Sequence, residues 1–161
     1  MQYIKEPIFT SLPTKKDFYY DGDCDEHWSI KEYLGKDIEY TRKRYYHLCG
    51  ISMVHDFYFI GTKAARYYLF GAFRYLQEDK KDEFEWSDAQ EVYSALPKVV
   101  LKHLDENMKD MGFIADYLIE FFQWAIDNYK KFNVDEEIYG NTQQEYLDLL
   151  NKVKFIYGKV H

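Results

Sequence analysis

Apolar residues recur every three or four positions along most of the chain, a spacing that predicts amphipathic helices. The most apolar of these segments is 62–77, TKAARYYLFGAFRYLQ. Its main apolar stripe consists of Ala65, Leu69, Ala72, Phe73 and Leu76. Further rings at Tyr68, Phe70 and Tyr75 widen the stripe beyond a single face. A helix that is apolar on most sides is buried, so this segment is predicted to be central.

The same spacing predicts five more helices. They cover 25–35, 36–49, 87–108, 113–132 and 142–157. Gly35 and Gly50 are predicted to end the first two, because glycine is common just past a helix C-terminus. Pro97 lies inside 87–108. We expect a break or a new helix start there, because proline removes a helical hydrogen bond.

Two regions do not show a clear helical pattern. The segment 51–60 is short and rich in β-branched and aromatic residues, so it predicts either a strand or a buried loop. Residues 1–20 contain two prolines and are predicted to form an irregular lead that packs onto the body. We therefore predict an all-α fold: one compact domain over 1–161, with about six helices around an aromatic-rich central helix, and with a minor β element near 51–60 left open.

The charge of the chain favours some partners over others. It has 28 acidic and 21 basic residues, a formal net charge of −7. A chain of this sign lacks the general phosphate attraction of nucleic-acid-binding proteins, so no nucleic-acid partner is expected. An acidic surface instead favours a basic protein partner, although the same charge also serves simply to keep a small protein soluble.

Composition also bears on location and on the core. The chain opens MQYIKEPIFT, which is not a secretory signal, and it has no run of 18 apolar residues. Its two cysteines are too few for a disulfide scaffold. A cytoplasmic protein without a membrane contact is therefore expected. The 17 Tyr, 12 Phe and 3 Trp predict a ring-filled core, a binding surface, or both.

The stretch DGDCDEHWSIKE, 21–32, invites comparison with a calcium-binding EF-hand loop. Asp21, Asp23, Asp25 and Glu32 occupy four of the positions whose side chains bind Ca²⁺ in that motif. However, Glu26 stands where the loop needs glycine, and the flanking helices are cut short. We therefore predict an exposed acidic turn without tightly bound Ca²⁺, in which Glu32 contributes little to stability.

Other metal chemistry has weaker sequence support. Cys24 with His27 and His47 with Cys49 form two close pairs, but the second pair is more tightly spaced than in structural zinc sites. His55–Asp56 is similar to the HD pair of metal-dependent hydrolases, which need further ligands that the sequence does not place. We therefore predict no cofactor and no enzyme activity, with an HD-type hydrolase as the alternative.

Two stretches, LGKDIEY and FYFIGTKAARYYLFGAFRYL, resemble an uncharacterised bacterial family of helical domains of unknown function. Family members read GK-W and then F-L-x-P-x-A-x-RYYLPA, and the resemblance extends roughly over residues 20–130. The matching positions are Gly35, Lys36, Phe59, Ala65, Tyr67, Tyr68, Leu69, Ala72 and Leu76. The chain departs from the family at Phe70 and Gly71, where the family has proline, and at Ile38, near the family's tryptophan.

The resemblance implies a small cytoplasmic helical protein without an assigned activity. Such domains are similar in size and charge to immunity proteins, which neutralise bacterial toxins. Our leading hypothesis is thus a non-enzymatic protein that binds a basic partner; a structural helical subunit is a further alternative. Acidic residues next to a tryptophan form two candidate contact patches. The first patch is Asp21, Asp23, Asp25, Glu26 and Trp28; the second is Glu78, Asp79, Asp82, Glu83, Glu85 and Trp86.

Overall fold

Every regular element in the described part of the chain is a helix. The computed structural model describes residues 3–20, 24–47, 50–78 and 83–158, apart from the side chains of Asp25, Ile51, Met53 and 83–88. The helices are α1 (Lys15–Phe18), α2 (Cys24–Tyr33), α3 (Ile38–Arg44), α4 (Gly50–Asp56), α5 (Thr62–Gln77), α6 (Glu83–Glu106), α7 (Met108–Gly112), α8 (Ala115–Asp127), α9 (Glu136–Tyr139) and α10 (Thr142–Tyr157), with a 3₁₀ turn at Tyr129–Phe132. The all-α prediction is thus confirmed, with more and shorter helices than the six expected.

Helix α5 is the central helix that the sequence predicts, with the predicted bounds. Thirteen of its sixteen residues are buried; the others are Lys63, Arg66 and Arg74. Helix α3 crosses it so closely that a Cβ on Gly71 would come within 2.6 Å of the Thr41 Cβ. A larger residue at position 71 would push the two helices apart. The glycine that departs from the resembled family is therefore required by this crossing.

The N-terminal segment lies along α5 and runs in the opposite direction. Its first described residues meet the C-terminal end of α5, where the Ile4 amide donates to Gln77 Oε1 at 2.6 Å. Glu6 then holds Arg74 through two hydrogen bonds of 2.6 Å. At the other end, the Gly61 amide donates to the Phe18 carbonyl at 3.0 Å. The lead predicted to pack onto the body does so, and it includes the short helix α1.

The segment 51–60 was predicted to be a strand or a buried loop, but its first half is helical, while residues 57–60 form a turn. Gly50 begins α4 instead of ending the preceding helix, and the helix runs to Asp56. Val54, Phe57 and Ile60 are fully buried and recur every three residues, so they face the core together. Contact with α6 decides this conformation, because burial on one side outweighs the β propensity of the local sequence.

Pro97 also differs from the prediction, because α6 continues through it from Glu83 to Glu106. Proline has no N–H to donate to the carbonyl four residues earlier, which is that of Tyr93. The Tyr146 hydroxyl of α10 donates to this carbonyl at 2.7 Å. A side chain from another helix therefore supplies the hydrogen bond that Pro97 cannot make.

We predict that the Tyr146 hydroxyl and Pro97 are energetically coupled. Tyr146→Phe should lower the free energy of unfolding by about 1–3 kcal/mol, since it leaves a buried carbonyl without a donor. With Pro97→Ala, the new amide can donate to that carbonyl, so the same tyrosine substitution should be clearly less destabilising. Urea unfolding of the four proteins measures this difference. As a control, Tyr68→Phe removes a hydroxyl bonded to the Tyr33 carbonyl at 2.6 Å and should show no such coupling. Equal losses from Tyr146→Phe with and without Pro97 would contradict the assignment.

His103 joins three parts of the core as a neutral side chain. It is fully buried on α6. Its Nε2 lies 2.7 Å from the Phe57 carbonyl, which can only accept, so Nε2 carries the hydrogen. Nδ1 then accepts from the Thr62 hydroxyl at 3.0 Å. Burial lowers the pKa of His103 to about 4, although the bond to Phe57 acts in the opposite direction. This histidine therefore has a structural role.

We predict a pH dependence of stability that comes from His103. In the unfolded chain its pKa is the ordinary value of about 6.5, so the unfolded state takes up a proton first as the pH falls. The contribution of the neutral ring is fully present above that pH and is lost progressively toward the folded-state pKa of about 4, a change of roughly 3 kcal/mol. Urea unfolding between these limits should show a shallower decline for His103→Gln than for the wild type. The exposed His27 provides the control, since His27→Gln should keep the wild-type slope. Parallel curves for wild type and His103→Gln would contradict this prediction.

Candidate functional site

The first predicted acidic patch is only partly exposed. Asp21, Asp23 and the side chain of Asp25 lie outside the described residues. Trp28 has 49% of its surface exposed, as a contact residue requires. Glu26 was predicted to be an exposed contact residue, but it is fully buried. Its Oε2 accepts a 2.8 Å hydrogen bond from the Tyr20 amide. It lies three residues before the buried Ser29, so it shares the core-facing side of α2.

Most of the second predicted patch lies outside the described residues. Asp79 and Asp82 lie outside the described residues, as do the side chains of Glu83, Glu85 and Trp86 at the start of α6. Glu78 is described, and its side chain is only 12% exposed. Its carboxylate accepts from the Tyr3 hydroxyl at 2.7 Å and pairs with Arg42 at 2.6 Å. This carboxylate connects the N-terminal segment to α3 and is not part of an open contact surface.

Glu32, the last position of the calcium-like stretch, is held inside the fold. Its Oε1 accepts from the Tyr40 hydroxyl at 2.5 Å and forms an ion pair with Arg44. Only 20% of its side chain is exposed, so the expectation of an exposed carboxylate was wrong. The sequence could not show this, because the partners belong to the next helix and meet Glu32 only in the folded chain.

The described histidines and cysteines do not come together in a metal centre. Among the described residues, no group of three or more His, Cys, Asp or Glu side chains is arranged to hold a metal ion. In the HD pair, His55 lines a surface groove, while the Asp56 carboxylate accepts from the Tyr33 hydroxyl of α2 at 3.1 Å. Of the proposed zinc residues, Cys24, His27 and His47 are exposed, and Cys49 lies outside the described residues.

The largest hollow described is an open groove over the C-terminal half of α6, which we call the α6 groove. Its volume is about 660 Å³. One wall comes from the end of α4 and the turn after it, and α6 forms the other wall. The lining residues are His55, Tyr58, Phe59, Lys98, Val99, Leu101, Lys102, Asp105 and Glu106. The hollow is within the size range of binding pockets, and it combines apolar contact area with a few charged groups.

A lysine between two tyrosine rings fixes one edge of the α6 groove. Lys102 Nζ lies 4.0 Å from the Tyr20 ring centroid and 4.9 Å from that of Tyr58, distances typical of cation–π contacts. It also pairs with Glu106 at 3.2 Å, and the Tyr20 hydroxyl donates to the same carboxylate at 2.7 Å. Partial burial would raise the pKa of Glu106, but these two hydrogen bonds and the lysine charge lower it overall. At this edge of the groove the charges of Lys102 and Glu106 therefore neutralise each other.

A smaller hollow adjoins the groove, and we call it the α6–α10 cleft. Its volume is about 170 Å³. It is lined by Pro97, Lys98, Leu101, Glu145, Asp148, Leu149 and Lys152. Leu101 and Lys98 belong to both hollows, so Leu101, with 40% of its surface exposed, forms the ridge between them. Lys152 pairs with Asp105 at 2.5 Å and ties the two helices together at the rim.

Sequence reasoning did not find this surface. The one available signal is Leu101, a large apolar residue between the charged Lys98 and Lys102 and off the buried side that holds Leu96, Val100 and Leu104. However, a single exposed apolar residue is ordinary on a protein surface, so the sequence alone gives no reason to single out Leu101. The residues facing Leu101 come from α4 and α10, so the chain order could not bring them together.

A third described hollow, of about 340 Å³, lies between the N-terminal segment and α5. Leu12 and Phe113 are exposed there beside Lys63 and Arg66. It is smaller than the α6 groove, and its lining has two cations and one carboxylate, whereas three lysines and four carboxylates line the α6 groove and the α6–α10 cleft. The α6 groove and the α6–α10 cleft are therefore the better candidate site.

Comparisons with known proteins do not add an identity. No protein-family model matches the chain, and neither a search of curated proteins nor a search of solved structures finds a match. The resemblance to an uncharacterised bacterial family therefore stays a prediction. In the described part of the chain, no helix combines the length and the apolar character needed to cross a membrane.

We predict that Glu32 stabilises the fold and does not bind Ca²⁺ tightly. Glu32→Gln should lower the free energy of unfolding by about 1–3 kcal/mol, because it weakens charge-assisted bonds to Arg44 and Tyr40. The exposed Glu137 provides the control, since Glu137→Gln should change stability by less than about 0.5 kcal/mol. Calorimetric titration of the metal-free protein with Ca²⁺ should show no tight binding. A micromolar dissociation constant that Glu32→Gln abolishes would contradict the prediction.

Proposed function

We propose that this chain is a non-enzymatic binding protein whose partner is a basic protein, and that it acts as an immunity-type protein that neutralises a toxin. The observation that carries the proposal is the exposed Leu101 on the ridge between the α6 groove and the α6–α10 cleft. An apolar centre with charged residues around it is the usual anatomy of a protein contact. Apolar contact at the centre supplies affinity, while the rim sets orientation.

The charge of the chain supports a basic partner. The net charge is −7, and carboxylates of Asp105, Glu106, Glu145 and Asp148 line the two hollows. Lys102 and Lys152 are already paired with two of these carboxylates, Glu106 and Asp105. A positively charged protein would therefore be attracted at long range and then held by the apolar ridge.

The arrangement of ionisable groups favours binding over catalysis. General acid–base catalysis requires a poised proton donor or acceptor within reach of a substrate. In the α6 groove, Lys102 and Glu106 neutralise each other and the Asp105 carboxylate is bonded to Lys152, so no unpaired carboxylate of that lining is left to act with His55 or Lys98. Together with the acidic charge and the small helical fold, this supports the immunity-type role that the sequence resemblance implies.

Photocrosslinking can identify the partner and locate the contact. A photoreactive amino acid at position 101, introduced in the cells that produce the protein, should crosslink a basic protein. The matched control is position 12, also a leucine and exposed to 41% against 40% for Leu101. The crosslinked protein is then purified, and its affinity for the chain is measured by calorimetry. Leu101→Glu should weaken binding at least about tenfold, whereas Leu12→Glu should not.

The immunity role has its own test with the same partner. Expression of the partner alone should stop cell growth, and co-expression of the wild-type chain should restore it. Leu101→Glu should fail to restore growth, while Leu12→Glu should succeed. Equal crosslinking from positions 101 and 12, or equal affinity of the two variants, would refute the proposed contact. A partner that does not impair growth would refute the immunity role.

A further inference from the structure

We propose that the α6–α10 cleft receives an arginine side chain of the basic partner, with Glu145 as the carboxylate that binds its guanidinium. This inference rests on the proposed function and names the chemistry of the contact. It follows from four features of the cleft, namely a carboxylate with one buried and unpaired oxygen, apolar walls, a volume fitting one side chain, and no cation among the described residues bonded to Glu145.

The carboxylate of Glu145 lacks the hydrogen bonds that its burial requires. The side chain is half-buried, and its Oε2 is removed from solvent without a hydrogen bond from any described residue. A charged oxygen in this situation has lost hydration without receiving a replacement. Burial accordingly raises the pKa of Glu145, although the nearby Lys98 acts in the opposite direction. The buried Oε2 itself is closed to a ligand, but a cation bonded to Oε1, the other oxygen of the carboxylate, would stabilise the charge that burial of Oε2 disfavours.

The rest of the cleft suits the stem of a long side chain. Pro97, Leu101 and Leu149 provide apolar walls, and these can cover the methylene groups of an arginine. The volume of about 170 Å³ is well below that of small-molecule pockets, which start near 300 Å³, so one side chain is the fitting occupant. The adjoining α6 groove has room for neighbouring residues of the same partner segment.

Neither of the two lysines that line the cleft is bonded to the Glu145 carboxylate. Lys152 is bonded to Asp105 at 2.5 Å. Lys98 lies near enough to affect the pKa of Glu145, yet in the described structure it forms no ion pair with it within 4.0 Å. The Glu145 carboxylate thus has a positive charge nearby but accepts no hydrogen bond from it. The carboxylates of Glu32, Glu78 and Glu106 differ, because each is paired with a cation.

A guanidinium fits this cleft better than an ammonium. Asp148 follows Glu145 by three positions on α10, so both carboxylates lie on the same side of the helix and line the cleft. Arginine presents several N–H donors in one plane and can bond two acceptors at once, whereas lysine acts as a point charge. The side-chain amide of the nearby Gln144 already donates to the Asp148 carboxylate at 2.8 Å, and this bond holds the second carboxylate in place.

The inference can be tested on the isolated chain with a small probe. Nuclear magnetic resonance titration with N-acetyl-arginine methylamide should produce saturable shifts at Leu101, Glu145 and Leu149. The neutral isostere N-acetyl-citrulline methylamide should produce none there, because it lacks the positive charge. Glu145→Gln should weaken binding of the arginine probe at least about tenfold, the scale of one charge-assisted hydrogen bond. The control Glu120→Gln changes an exposed carboxylate on α8 that has no described partner, and it should bind like the wild type.

A stability measurement separates a binding role from a structural one. Because burial raises the pKa of Glu145, its charged form is less favourable in the folded than in the unfolded chain at neutral pH. Glu145→Gln should therefore leave the urea midpoint unchanged or raise it, even as it weakens probe binding. A lower midpoint would show that Glu145 supports the fold and would overturn the inference. Equal shifts with the arginine and citrulline probes, or wild-type affinity of Glu145→Gln, would overturn it as well.

The outcomes distinguish this inference from the proposed function. If the purified partner binds at Leu101 but Glu145→Gln keeps its full affinity for both partner and arginine probe, the arginine site is wrong and the binding function stands. If the arginine probe binds the cleft but no basic partner contacts Leu101, the cleft chemistry stands and the proposed function fails. Loss of affinity for both partner and probe on Glu145→Gln supports the two together.

Discussion

The fold depends on how it satisfies the hydroxyls of buried tyrosines. A phenol taken out of water must donate its hydrogen to an acceptor, and in a helical core the free acceptors are few. For three of the buried tyrosines the acceptors are backbone carbonyls of other helices. Tyr68 of α5 donates to Tyr33 at the end of α2, Tyr93 of α6 donates to Ala125 of α8 at 3.0 Å, and Tyr146 of α10 donates to Tyr93. Each bond fixes the position of one helix relative to another, which ring packing alone would leave less specific.

The bond between Tyr146 and the Tyr93 carbonyl connects the core to the candidate site. It replaces the hydrogen bond lost at Pro97, so α6 continues as one helix and presents Leu101 one turn later. Pro97 comes four residues after Tyr93, and Glu145 directly precedes Tyr146. Both residues line the α6–α10 cleft. The same contact that lets α6 accommodate a proline therefore also places a carboxylate beside it.

The acidic charge of the chain is distributed unevenly between internal bonds and open surface. Glu6, Glu32 and Glu78 hold Arg74, Arg44 and Arg42, and each pair connects segments that are distant in sequence. These carboxylates act in the fold and are not available to a partner. The carboxylates of the α6–α10 cleft are less completely used within the chain, so they are the ones that the proposed partner would meet. The total charge of −7 alone could not separate the two groups of carboxylates.

The sequence by itself determined the helical class, the bounds of α5 and its central position, because apolar periodicity and length are local properties of the chain. Tertiary structure decided that residues 50–56 form a helix and that α6 passes through Pro97, because contacts with α6 and α10 outweigh local preference. It also decided which acidic residues are buried, as Glu26 shows, and that Leu101 and Glu145 line one cleft. These outcomes depend on pairs far apart in sequence, and their distances are set only when the helices pack.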